Sequence, residues 1–350
     1  MSNTLKLEIT NPLFGKFDQV VRAVLKPGSG KAELGSFWGR QRRLKYADMF
    51  CGIGGFHQAA DSLGMECVFA CDIDAEARKA YEHNYRIRPE SDITRIQTKN
   101  IPDHDVLFAG FPCQPFSIIG NRTGFSDARG TLFFELAKII EAKQPAAFVL
   151  ENVKQLVSHD KKRTLKRILE ILRELDYQVD FKILNALHFG LPQKRERVLI
   201  AGFKDGAAGF EWPTVKQRMK PLNDILETNP DPRHFVSERI KTARHAAHTA
   251  KITPSIWHEN KSGNISSHPF SCALRAGASY NYLLVNGERR LTPREMLRLQ
   301  GFPDTFDIVC NDSQTRKQAG NAVPVPMVKA IIKGVLSAGR IEAQRAREAA

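Results

Sequence analysis

The sequence predicts an α/β protein: a Rossmann-like, doubly wound mixed sheet that carries a second, smaller and loop-rich domain. Three observations predict it. Between about residue 45 and residue 202, short apolar runs alternate with stretches of helical periodicity, the pattern of a mainly parallel sheet with crossover helices. The first apolar run ends in a glycine-rich turn, Gly52-Ile53-Gly54-Gly55, and Asp72 follows about 20 residues on, as in folds that receive a nucleotide at their strand ends. After Gly202 the periodicity gives way to turn-rich, mixed-charge sequence holding Trp212-Pro213, Pro230-Asp231-Pro232 and Ser262-Gly263-Asn264, which marks a separate module.

In chain order, residues 1–44 form an N-terminal extension. Pro27-Gly28-Ser29-Gly30-Lys31 within it lacks the spacing of a phosphate loop and reads as a linker. Residues 46–50, 67–71, 105–109, 146–150, 179–184 and 197–202 read as strands, each a short apolar run bounded by turn residues. Residues 55–63, 75–85, 132–142 and 161–175 read as the helices between them. The sheet domain therefore covers 45–202 and the loop-rich domain 203–288. Residues 289–350 return to the sheet, with one helix at 292–300, capped by Thr292 with Pro293 in its first turn, and another at 325–341.

With 350 residues and 42% apolar content the chain can bury one large core. Lys and Arg number 52 against 38 Asp and Glu, a net charge of +14 that suits a polyanion such as nucleic acid, although a merely basic protein has the same balance. No apolar stretch approaches the roughly 20 residues of a membrane span, and the N-terminus lacks a charged start followed by an apolar core. A cytoplasmic protein with no membrane partner is expected. The six cysteines are scattered, with no CxxC pair and no His/Cys zinc spacing, so neither a disulfide framework nor a metal site is expected.

Chemistry concentrates at the strand ends. In Gly110-Phe111-Pro112-Cys113-Gln114-Pro115-Phe116-Ser117 a thiol leaves the third strand in a turn held between two prolines, which restrict the Cys113 backbone. A free thiol of pKa ~8.5 is only about 3% thiolate at pH 7, yet that fraction is strongly nucleophilic. Alone, Cys113 reads equally as a small buried hydrophobe. The fourth strand ends in Glu151-Asn152-Val153, and neighbouring parallel strands present their carboxyl ends to one crevice, so Cys113 and Glu151 can face the same molecule. A desolvated Glu151 would hold a proton to donate near neutral pH; a carboxylate bonded to backbone or arginine is the alternative. In Gln193-Lys194-Arg195-Glu196-Arg197, strand alternation sets Arg195 and Arg197 on one face, as it would in a solvated charge run.

The glycine turn lets a ligand reach backbone N–H groups at a helix start. Asp72 stands where a carboxylate receives ribose hydroxyls, and Asp92-Ile93 offers a polar–apolar pair for an adenine. Each aspartate alone is also an ordinary turn residue. With no Lys or Arg in the glycine turn, the set fits a nucleoside-containing cofactor better than a pyrophosphate.

In these ordered blocks the chain resembles the DNA (cytosine-5) methyltransferases of the bacterial restriction–modification type. The resemblance covers 48–56, 71–74, Asp92-Ile93, 110–117, 130–136, 151–153, 193–198, 290–303 and 320–326. Cys51 stands where the family commonly has alanine or serine, and Asp72 where glutamate is frequent; residues 1–44 and 203–288 fall outside the shared blocks.

The resemblance implies a class I fold dependent on S-adenosyl-L-methionine, with 203–288 as the target-recognition domain. Cys113 would attack carbon 6 of the target cytosine while Glu151 protonates or hydrogen-bonds N3, Arg197 holds the cytosine oxygen and Arg195 orients Glu151. The cofactor would lie against Phe50, Gly52, Ile53, Gly54, Asp72, Ile73, Asp92, Ile93, Pro112, Leu132 and Asn321, with Thr131 on the methionine side. The partner would be double-stranded DNA, bound by a monomer, and a cognate restriction endonuclease would act at the same site. Because carbon 6 is hidden in the base stack, the cytosine must be flipped out at a cost of a few kcal/mol. Residues 114–130, pivoting on Gly120, Gly124 and Gly130, would close over it, with Ser117, Arg122 and Arg129 reaching the DNA. Arg275, Tyr280, Asn281 and Tyr282 are candidate groove contacts. Rival readings are a tRNA cytosine-5 methyltransferase on the same scaffold and a catalytically silent DNA-binding regulator. The 203–288 module favours duplex DNA over the first, and the presence of both Cys113 and Glu151 favours an enzyme over the second.

Overall fold

The computed structural model describes residues 43–112, 132–204, 210–214 and 217–338. Its first seven strands are β1 (Lys45–Met49), β2 (Glu66–Cys71), β3 (Val106–Gly110), β4 (Ala147–Val153), β5 (Gln178–Asn185), β6 (Gln193–Lys194) and β7 (Glu196–Phe203). All but β6 form one sheet in the order β2-β1-β3-β4-β7-β5. β1 runs parallel to β2 and β3, and β3 to β4, whereas β7 is antiparallel to both β4 and β5. A short connection without a crossover helix returns β7 beside β5, and such a link suits antiparallel pairing. The sheet is mixed, as expected.

Helices α1 (Gly55–Asp61), α2 (Ala75–Tyr85), α3 (Leu132–Lys143) and α4 (Arg163–Glu174) connect the parallel strands. Strand alternation loads both faces of the sheet. Tyr46, Val106, Phe108, Ala147 and Val149 feed one apolar layer, and Ala47, Leu107, Ala109, Phe148 and Leu150 the other, all of them fully buried. α4 helps close the second layer with Leu165, Ile168, Leu169 and Leu172, the spacing of one helical face.

Beyond β7 the expected loop-rich stretch contains regular structure: α5 (Glu238–Ala247), β8 (Ile256–Glu259), β9 (Ile265–His268), β10 (Ser271–Cys272) and β11 (Leu283–Val285). β8 lies between β11 and β9, antiparallel to both, and β10 pairs in parallel with β6. Strands of two to four residues are too short to show periodicity. α5 turns only Arg244 fully inward, so no apolar stripe announces it.

The chain returns through α6 (Pro293–Gln300), α7 (Asp312–Asn321) and α8 (Val325–Ser337). The Thr292 hydroxyl accepts from Glu295 N at 3.2 Å while Glu295 Oε2 accepts from Thr292 N at 2.9 Å, a reciprocal cap. The buried Glu295 also takes both prongs of Arg289, at 2.8 and 2.9 Å. The run Asp312–Ser337 is long and apolar enough for a membrane span by composition. It is two helices, however, parted at Ala322-Val323-Pro324, and Met327, Val328, Ile331, Ile332 and Val335 of α8 are fully buried in the first layer, so its apolar content is that of a core element.

Candidate active site

The chain passes from β1 to β2 on one side and from there to β3 on the other, so strand order reverses at β1, where a doubly wound sheet opens a crevice at its strand ends. A cavity of about 560 Å³ opens there, within the usual range for ligand sites. The carboxyl ends of β1, β2, β3 and β4 contribute to its wall.

After β1, Phe50, Gly52 and Ile53 line the cavity. Gly54 is placed one step back, as the N-cap of α1 with φ +83°. A Cβ there would stand 2.3 Å from the Tyr85 ring, so the left-handed turn and the close packing both require glycine. Tyr85 supports this turn from beneath by donating to the carbonyls of Ile53 and Gly54 at 3.3 and 3.2 Å. Deeper still, His57 Nδ1 lies 2.7 Å from the Tyr81 hydroxyl, and burial pushes its pKa down to about 4, which keeps the ring neutral.

After β2, Asp72 lines the cavity. Its Oδ2 accepts from Gly52 N and its Oδ1 from Asp74 N, both at 2.8 Å. Burial pushes its pKa up, against the pull of these two N–H groups. The carboxylate thereby joins the β1 and β2 turns and keeps lone pairs for a ligand hydroxyl. Beside it Ile73 is 70% exposed, an apolar side chain on the cavity rim. Asp92 caps the short turn Ile93–Arg95 by accepting from Thr94 N and Oγ1 at 3.0 and 2.7 Å; these bonds hold its pKa below the ordinary carboxylate value. Ile93 is buried next to it, and both line the cavity, as do Leu132 and Asn321.

After β3 the chain reaches the cavity at Gly110, Phe111 and Pro112, immediately before Cys113. Cys113, Ser117, Arg122, Arg129 and Thr131, with the rest of 114–130, lie outside the described residues. Asn152, at the end of β4, donates to the Phe111 carbonyl at 2.9 Å and accepts from Val153 N at 2.8 Å, so it anchors the stem that leads to Cys113. Glu151 is 7% exposed and lines the cavity. Arg197 Nε stands 2.8 Å from its Oε1, and among the described residues no donor is aimed in line at that oxygen.

Arg195 differs from expectation. It does not orient Glu151, a contact made by Arg197. Arg195 donates instead to the carbonyls of Leu274, Gly320 and Ala322 at 2.9, 3.0 and 2.8 Å. The reason is a break in the strand: Arg195 separates β6 from β7, and its own N–H donates to Gln193 O at 3.0 Å, which turns the side chain toward β10 and α7. Burial, then the neighbouring Arg197, pushes the guanidinium down to about 9, which leaves it charged at neutral pH. Gln193 completes the clamp by accepting from Leu274 N at 3.0 Å and donating to Leu299 O at 2.9 Å.

The four candidate groove residues separate into two pairs. Arg275 and Tyr280 are exposed, Tyr280 by 51%. Tyr282 is corrected: it is buried, its hydroxyl accepts from Arg275 N at 3.0 Å, and its ring lies 4.7 Å from the Arg275 guanidinium carbon, so it is the platform on which Arg275 rests. Asn281 is likewise committed, its Oδ1 accepting from Arg290 Nε at 2.8 Å.

Sequence reasoning missed Gln193, Asn152 and the close approach at Gly320, whose Cβ would stand 2.4 Å from Ala276 N. Alanine is favoured over glycine inside a helix by about 1 kcal/mol, but overpacking against backbone costs roughly 1–3 kcal/mol. Gly320→Ala is therefore expected to lower the melting temperature in thermal denaturation; a raised one would contradict the contact.

Residues 44–337 match the family model described as C-5 cytosine-specific DNA methylase. The chain is 54% identical over 292 residues to Type II methyltransferase M.NgoBI of Neisseria gonorrhoeae, covering 83% of this chain and 92% of that one. It is 50% identical over 300 residues to Type II methyltransferase M.HaeII of Haemophilus aegyptius, covering 85% and 94%. Its fold is similar to the crystal structure of S. pombe Dnmt2 methyltransferase, with a TM-score of 0.65 at 22% identity over 84% of this chain and 98% of that one.

Proposed function

The chain belongs to the C-5 cytosine-specific DNA methylase family and is a DNA cytosine-5 methyltransferase; on that premise we propose that it methylates a cytosine flipped out of a short duplex site, through a covalent adduct on Cys113, as the modification enzyme of a type II restriction–modification system. One observation carries the reading. The stem of Cys113, the Glu151 carboxylate and the Asp72 turn converge on one cavity.

The cavity fits S-adenosyl-L-methionine: Asp72 for ribose hydroxyls, Ile73 and Ile93 for the adenine faces, and the glycine turn with Asn321 for the methionine end. When bound, that group supplies an electrophilic methyl on a sulfonium, which carbon 5 can take. The protein's own residues make carbon 5 willing. The Cys113 thiolate forms a bond to carbon 6 as Glu151 gives a proton to N3, so the ring's electrons collect at carbon 5 as an enamine. Arg197, beside Glu151, faces the cytosine oxygen. Once carbon 5 is methylated, water takes its proton, the electron pair returns to the ring and expels the cysteine as thiolate, and N3 gives its proton back to Glu151. Residues 203–288 read the duplex, the exposed Arg275 and Tyr280 among their contacts, and the enzyme acts as a monomer beside a nuclease of the same site.

Bisulfite sequencing of DNA from cells expressing the protein tests this. Protection of one cytosine within a single short recurring duplex sequence is expected. Unprotected DNA, with methyl incorporation into transfer RNA instead, would favour the RNA-modifying reading.

A further inference from the structure

α7 grips two neighbours with two consecutive residues. Arg316 Nη2 donates to the carbonyls of Ala278 and Ser279, the latter at 2.8 Å, and its guanidinium carbon lies 4.3 Å from the centroid of the Tyr280 ring. Lys317 reaches the other way, its Nζ 2.6 Å from Asp74 Oδ2. Asp74 is in turn bonded through its N–H to Asp72 and caps α2 by accepting from Glu76 N and Ala77 N. Neither Arg316 nor Lys317 lines the cavity, whereas Gln318, Gly320 and Asn321 on the same helix do. The close approach of Gly320 to Ala276 and the Arg195 bonds to Leu274, Gly320 and Ala322 fasten the same helix end to the same segment.

We propose that α7 is a bracket between the cofactor turn at Asp72–Asp74 and the segment 275–280, whose exposed Arg275 and Tyr280 are proposed to meet DNA, with Arg316 and Lys317 as positioning residues at its two ends, so that cofactor and duplex bind cooperatively. This rests on the functional reading above. The segment Arg275–Asn281 is turn-rich and half exposed, so fixing it for DNA costs conformational entropy. A ligand on Asp72 that stills the Asp74–Lys317 contact stills α7, and with it the segment that Arg316 holds; part of the ordering is then already complete when the duplex arrives. Because Lys317 is 48% exposed in its ion pair, the pair adds little to folding. Its effect belongs to the linkage between the two sites.

The test is calorimetric titration of S-adenosylhomocysteine into the full chain, alone and with a saturating duplex carrying the methylated site. In the wild type the duplex is expected to tighten binding roughly tenfold, within the usual span of coupling between two sites. Arg316→Gln and Lys317→Met are each expected to reduce that factor below about threefold, with melting temperatures unchanged and, for Arg316→Gln, unchanged affinity in the absence of DNA. The double variant should lose no more than the stronger single one, since both cut one bracket. Full coupling in both single variants, independent losses that multiply in the double, loss accompanied by a general drop in melting temperature, or a wild type without coupling each overturns the proposal. A wild type that binds neither S-adenosylhomocysteine nor duplex removes the functional reading itself, and the bracket with it.

Discussion

Cys113→Ser is expected to abolish methyl transfer, with a loss of roughly 10⁴-fold or more, the scale felt when a covalent nucleophile is removed. A serine hydroxyl is scarcely ionised near neutral pH and attacks carbon 6 poorly, so carbon 5 stays aromatic and unreactive. Binding should persist. The cavity walls proposed to hold the cofactor include the turns at Phe50–Ile53, Asp72–Asp74 and Asn321, all distant from position 113 in sequence, and the two side chains differ by a single atom. Radiometric methyl incorporation set against duplex binding by fluorescence anisotropy checks both halves. Turnover near the wild-type level would remove Cys113 from its assigned role.

Glu151→Gln has the second-largest expected effect, a fall in kcat of roughly 10²–10⁴-fold, the usual contribution of a positioned proton donor. Glutamine keeps the shape and can still hydrogen-bond N3, but it cannot give up a proton there, so negative charge accumulates on the ring as the thiolate adds. Part of the loss comes from Arg197, whose side chain is 12% exposed and would be left without its carboxylate. KM for DNA should change much less than kcat, since the proposed duplex contacts lie in 203–288 and Glu151 is proposed to meet only the flipped base. A variant with unaltered kcat would place the proton source on another group.

Much of the sheet was legible because β1, β3 and β4 are largely apolar runs buried on both faces, with Gly52 in the turn after β1 and Gly110 at the end of β3. The strand ends named Asp72, Glu151 and the glycine turn for the same reason: in a parallel sheet, residues just past the carboxyl ends share one crevice. What the sequence hid is long-range. Arg195 bonds to carbonyls 79, 125 and 127 positions away, and no local spacing announces such partners. Strand alternation likewise set Arg195 beside Arg197, but the break between β6 and β7 redirected it. α7 was missed because its buried face is Thr315, Gln318, Ala319 and Gly320, small or polar residues that leave no hydropathy stripe. Tyr282 carried the signature of a groove contact, an aromatic among arginines, and only packing shows it buried beneath Arg275.

The transient bond of Cys113 to a cytosine on the way to carbon 5 methylation is the step on which the proposed chemistry rests. Its most direct test is intact-mass analysis after incubation with S-adenosyl-L-methionine and a duplex whose target base is 5-fluorocytosine. Fluorine takes the place of the departing proton, so the methylated adduct cannot expel the cysteine. A stable protein–oligonucleotide species is expected, formed only with cofactor and mapping by peptide mass to Cys113. A preparation that methylates ordinary cytosine but never accumulates that species, or links the oligonucleotide through another residue, contradicts it.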